Sequence, residues 1–163
     1  MDKYRENLEK ALRELKIADH IIYITYSIVK DKRLLLKALD QEAQALAYLI
    51  NAILQYEYLW KHIKLYNNSE DNFHTFVDKC SKRYNISPEE IETIKQILKI
   101  TREHKKSPME FLRKDKIIIL GDNLKTTQID LDILKVYLEL IKKLVKKALF
   151  VWKTTENTFK TLQ

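Results

Sequence analysis

The chain has 163 residues, carries a formal net charge of +7, and contains one glycine, two prolines and one cysteine. That length suits a single domain, 1–163, with enough core to fold without a metal or disulfide staple. One glycine leaves no room for a phosphate-cradling Gly loop, a dinucleotide fingerprint or a nucleophile elbow, and the lone Cys80 cannot form an intrachain disulfide.

Leu, Lys, Ile and Glu dominate, a composition that favours helix. The expected fold class is all-α: an antiparallel helical bundle built on a long N-terminal hairpin, with shorter helices and a long C-terminal helix. Tyr4, Leu8, Ala11, Leu15, Ala18, Ile22 and Val29 follow steps of three and four, with Thr25 or Tyr26 completing the stripe between the last two, predicting a first helix from Asp2 to Val29. The uncharged, β-branched run 21–29 resembles a strand, but its phase continues the helical stripe.

Asp31-Lys32-Arg33 marks a turn, and a second helix is expected from Leu34 to Tyr66 on the stripe Leu35, Leu39, Glu42, Leu46, Leu49, Ile53, Tyr56, Trp60, Ile63. The short connection makes the two helices antiparallel neighbours. Glu42 interrupts the stripe, either as an edge residue reaching water or as a buried carboxylate paired with a cation. A third helix is predicted over 70–83, capped by Ser69. A fourth opens at Ser87-Pro88-Glu89-Glu90, with Ser87 as cap and proline in the first turn, and ends near Lys106.

The segment Arg102–Asp122 breaks the helical pattern. It holds Pro108, Gly121 and the run Ile117-Ile118-Ile119. The reading predicts a short helical turn through Met109, Phe111 and Leu112, then extended backbone over 116–120 that is either irregular or pairs with a second copy, then a turn at 121–123. The last helix should run from Asp130 to Trp152, leaving 154–163 as a fraying tail.

Cys80 shares a face with Phe73, Phe76 and Val77 and reads as a buried apolar residue. The longest uncharged run, 43–56, is shorter than the roughly 20 residues a membrane span needs and contains Gln44, Asn51 and Gln55. The N-terminus MDKYRENLEK lacks a signal-peptide core. The expectation is a soluble, cytoplasmic protein with no membrane partner. His20, His62, His74 and His104 form no convincing metal pair, and Asp71-x-x-His74 alone is not a site, so neither metal nor cofactor is expected.

Two basic clusters are candidates for binding nucleic acid. Arg102, Lys105, Lys106, Arg113, Lys114 and Lys116 surround His104. Lys142, Lys143, Lys146 and Lys147 recur on the last helix at offsets that bring their ammonium groups together, on the face away from the core stripe. Each cluster also fits a plain solvated helix face; phosphate contact is the functional alternative. Arg102 and His104 are the candidates for proton-transfer chemistry on a phosphate.

The helix-one pattern and the segment HKKSPMEFLRKDKIIIL before a final helix resemble small archaeal-type proteins of the HEPN-like class. That resemblance implies an all-helical, usually dimeric domain associated with RNA or nucleotide. Catalytic members share an arginine and a histidine separated by four to six residues, forming a ribonuclease site across the dimer. Here Arg13 and His20 alone fit that spacing, and they lie in the first helix rather than near the start of a late one. Arg102-Glu103-His104 lies in a better region at the wrong spacing. The resemblance therefore implies a non-catalytic RNA- or nucleotide-associated or regulatory domain. The alternatives are a helical interaction module forming a homodimer or binding another helical protein partner, with Tyr23, Tyr26, Tyr48, Tyr56, Tyr58 and Trp60 as aromatic anchors, and a metal-independent ribonuclease using Arg102 and His104.

Overall fold

The computed structural model describes the backbone of residues 2–106, 110–113, 116–120 and 126–163. The chain is all-α in class, with a small sheet. Helix α1 (Lys3–His20) passes through a π-helical turn (Ile21–Thr25) into α2 (Tyr26–Val29), followed by α3 (Arg33–Leu59) and α4 (Ser69–Thr75). A second π-helical turn (Phe76–Cys80) leads to α5 (Ser81–Arg83) and α6 (Pro88–Lys106). Strands β1 (Glu110–Arg113), β2 (Lys116–Leu120) and β3 (Thr126–Ile129) then precede α7 (Leu131–Leu162). Among the described residues no helix is long and apolar enough to cross a membrane.

The core follows the expected stripe except at its end, where Val29 is exposed. Ala11, Leu15, Ala18 and Ile22 of the first helix are buried, as are Leu35, Leu39, Leu46, Leu49 and Ile53 of α3. Tyr4 meets Tyr56 edge to face with ring centroids 5.0 Å apart, so the start of α1 lies against the end of α3 and the hairpin is antiparallel. Trp152 of α7 completes the cluster, stacked on Tyr56 at 5.1 Å and edge to face with Tyr4 at 5.2 Å. At the other end Lys142 binds Asp19. Helix α7 therefore runs antiparallel to α1 and alongside α3 in the same direction. The run 21–29 is helical, and the π turn lets His20 Nδ1 reach Thr25 Oγ1 at 3.0 Å.

Several boundaries differ from expectation, each for a physical reason. Helix α3 stops at Leu59 rather than Tyr66. Lys61 takes a left-handed conformation (φ 59°), and the His62 and Lys61 N–H groups donate back to the Glu57 and Tyr58 carbonyls, a Schellman ending built without glycine. Asn85 (φ 52°) ends α5 the same way. The cap of α4 is Asn68, whose Oδ1 accepts from the Glu70 N–H, not Ser69. Helix α6 starts as predicted: Ser87 Oγ accepts from the Glu90 N–H while Glu90 Oε1 accepts from the Ser87 N–H, a reciprocal capping box.

Residues 154–162 are helix rather than a frayed tail. Phe159 packs edge-on against Trp60 at 5.4 Å, giving the last turns an apolar anchor. Phe111 and Leu112, expected in a short helical turn, lie in β1 instead, while Met109 of that turn lies outside the described residues. Strand β2 is neither irregular nor left for a second copy, because it pairs antiparallel with β1 on one side and β3 on the other. Ile117 and Ile119 are buried while Ile118 between them is only partly covered, so the β-branched run alternates faces as a strand must. The predicted turn at 121–123 lies outside the described residues.

Candidate nucleic-acid interface

An open groove of about 850 Å³ runs between α3, α4 and α6, within the size range of small-ligand sites. Its α6 wall carries Lys95, Lys99 and Arg102, spaced four and three residues apart and hence on one helical face. Ile91, Ile94, Ile97 and Thr101 are buried, holding that helix in place. The opposite wall is α4, and its position is braced. Asn72 Oδ1 accepts from the Tyr66 N–H at 2.8 Å and its Nδ2 donates to the Tyr66 carbonyl at 2.9 Å. This clamps the incoming chain to the helix that carries Phe73 and His74 into the groove. Phe73 is backed by Phe76, with ring centroids 6.0 Å apart and planes 30° from parallel. Between the walls, α3 contributes Ala43 and Ala47, whose small side chains leave the space open, with Gln44 and Asn51 at the exposed margin.

The groove is electropositive. Glu70 is the acidic residue on its lining, against the three cations of α6. Lys95 lies 3.5 Å from Glu92, an exposed pairing of little strength. Lys99 and Arg102 have no ion-pair partner among the described residues.

Arg102 and His104 do not converge. Arg102 lines the groove, whereas His104 Nε2 lies 3.6 Å from Asp40 Oδ2, away from the groove lining. The side chains of Lys105, Lys106, Arg113, Lys114 and Lys116 lie outside the described residues. The α7 lysines divide instead of forming one outward cluster. Lys142 bonds to Asp19 of α1, and this bond leads the causes that raise its pKa. Lys147 donates to Glu90 Oε1 at 2.7 Å and to the Asn85 carbonyl at 2.6 Å, and Lys143 lies 3.8 Å from Glu90. Of the four, Lys146 alone is exposed with no ion pair among the described residues. Arg13 and His20 are both exposed, and His20 is engaged with Thr25. Of the six aromatic anchors, Tyr23 and Tyr58 are exposed, Tyr56 is buried, and Tyr26, Tyr48 and Trp60 are half-buried.

Two buried carboxyls stand out. Glu42 is fully buried, as its place in the stripe allows, but it fits neither alternative: it reaches no water, and neither oxygen has a hydrogen-bond partner among the described residues. Burial without compensation pushes its pKa up to about 9, so the side chain is a neutral acid at neutral pH. Glu57 is the opposite case and was not singled out by sequence. Its Oε1 accepts from the Tyr84 hydroxyl at 2.8 Å and lies 2.9 Å from Arg83 Nε, while His62 Nδ1 lies 2.7 Å from Oε2. The available signal was its position three and four residues beyond Leu54 and Ile53, on the buried side of the helix. Among the described residues no three His, Cys, Asp or Glu side chains gather as a metal site. No protein-family model, curated protein or solved structure matches this chain.

Proposed function

We propose that this chain is a non-catalytic helical domain that associates with RNA or nucleotide, in the manner its resemblance to the HEPN-like class implies. The observation supporting this reading is the α6 wall. Lys99 and Arg102 line an open groove without the carboxylate partners that occupy Lys142 and Lys147. Exposed cations left unpaired beside a concave surface are the electrostatic footprint of a phosphate-binding face. The separation of Arg102 from His104 supports binding over cleavage, since general acid–base transfer needs both groups at one phosphate.

The test is a titration of the whole protein against a labelled single-stranded RNA at increasing salt. Binding should be tightest at low salt and weaken linearly on logarithmic axes, because each neutralised phosphate releases condensed counterions. No affinity for any RNA at low salt overturns the reading.

A further inference from the structure

Resting on that functional reading, we infer that the α3–α4–α6 groove is a single-strand site, holding an unpaired nucleobase against Phe73 with its phosphate on Lys99 and Arg102. The two walls are chemically different. One is a row of cations; the other carries an aromatic ring stacked on a second ring, Phe76, that keeps it from yielding. Leu98 and Ile50 extend the apolar surface between them, and the exposed amides of Gln44 and Asn51 offer donors and acceptors at its edge. A ligand that complements all three features is anionic at one side, flat and apolar in the middle, and hydrogen-bonding at its rim. An unstacked nucleotide has that form. A duplex does not, because its bases are stacked and paired inside while its surface presents backbone.

The reach of the cations limits the site. Seven residues of helix separate Lys95 from Arg102, a span of about 10 Å at 1.5 Å per residue. That covers a short stretch of backbone, so the groove grips a few nucleotides of a longer strand. It discriminates by strandedness more than by sequence, because every base presents a π face.

The experiment compares a labelled oligouridylate with a hairpin duplex RNA by fluorescence anisotropy at low salt. It uses the full chain, the variant Phe73→Leu, the double variant Lys99→Glu/Arg102→Glu, and the control Lys153→Glu/Lys160→Glu on the exposed face of α7. Phe73→Leu keeps an apolar side chain against Phe76 while removing the ring, and circular dichroism establishes that each variant is folded. The single strand should bind more tightly than the duplex. Phe73→Leu should weaken it by about fivefold to a hundredfold, the range for loss of one stacked base. The double groove variant should weaken it further, and the α7 control should leave it within about twofold of the parent. Equal binding of duplex and single strand overturns the inference, as does loss of binding in the α7 control with no effect of the groove variants. In both of those cases the functional reading survives. Absence of binding to both of these RNAs removes the inference, and the functional reading falls with it if the salt titration also finds no affinity for any RNA.

Discussion

The indole N–H of Trp152 donates to the hydroxyl of Tyr84 at 2.9 Å, and that hydroxyl donates in turn to Glu57 Oε1. This relay joins α7, α5 and α3 through three buried side chains, with Arg83 supplying charge to the carboxylate and bonding Thr155 of α7 at 2.9 Å. Burial, with the negative charge of Glu57, pushes the Tyr84 phenol well above its ordinary range, so it remains a donor at any physiological pH. Tyr84→Phe keeps the ring but leaves the Trp152 N–H without its acceptor. The expected loss is about 1–3 kcal/mol, the cost of a buried polar group left unsatisfied. Urea denaturation followed by tryptophan fluorescence measures it, and an unchanged midpoint would show that the relay contributes nothing to stability.

Glu42 sets a pH dependence of the opposite sense to ordinary acid denaturation. Its folded pKa lies near 9, above the carboxylate range of the unfolded chain. Between those two values the folded state holds a proton that the unfolded state has released, so stability falls as pH rises, by at most about 1.4 kcal/mol per pH unit. Below the unfolded value both states are protonated and the effect vanishes. Glu42→Met removes the titration and keeps an unbranched chain of similar length. The variant should already be the more stable at pH 4, where methionine replaces an unpartnered neutral carboxyl, and its advantage should widen towards pH 8; thermal melts across that range would refute the assignment if the difference did not grow with pH.

Sequence made the core and most helices legible because buried apolar groups must recur at the helical period. The stripe through Leu35, Leu39, Leu46, Leu49 and Ile53 is buried along its length. What escaped was set by backbone conformations and distant partners. Nothing in the residues around Lys61 announces a helix end, because the usual glycine is absent and a lysine accepts the left-handed conformation. The β1 and β3 partners of the Ile117–Ile119 run are short and polar enough to carry no period of their own. The groove was half legible. Arg102 was singled out for its charge, and Lys95 and Lys99 share its face of α6 by spacing, but their meeting with Phe73 depends on how α4 is clamped by Asn72.

Glu90 does two jobs at the start of α6, and acid should expose both. Burial works to raise its pKa but is outweighed by the Lys147 hydrogen bond, the Ser87 N–H and the charges of Lys147 and Lys143, so the carboxyl titrates below its ordinary value. A depressed folded pKa contributes stability that is present above the unfolded carboxylate range and disappears as pH falls through the folded value. Glu90→Gln retains part of the cap but loses the charge pairing, and should cost about 0.5–2 kcal/mol at neutral pH. The loss should shrink on acidification. Lys147→Met should reproduce the pH-dependent part, and the double variant should cost less than the two single losses added together.

Cys80 gives the simplest probe of whether the second π turn opens. The thiol is 1% exposed. Burial first, then the negative charge of Glu57, pushes its pKa up to about 12 despite the opposing influence of Arg83. The nucleophile in thiol exchange is the thiolate, so at neutral pH the native protein presents almost none, behind a wall that excludes the reagent. A disulfide reagent such as Ellman's should leave the native chain unmodified while reacting rapidly with the urea-unfolded chain. Labelling in the native state should then follow the opening equilibrium. Tyr84→Phe, which loosens the neighbouring relay while keeping the backbone bond from the Tyr84 N–H to the Cys80 carbonyl, should accelerate labelling by about the factor its stability loss predicts, up to roughly a hundredfold for a loss near 3 kcal/mol if the segment opens only with the whole fold. A rate that stays at the parent value while global stability falls would show that 76–80 opens independently of α7.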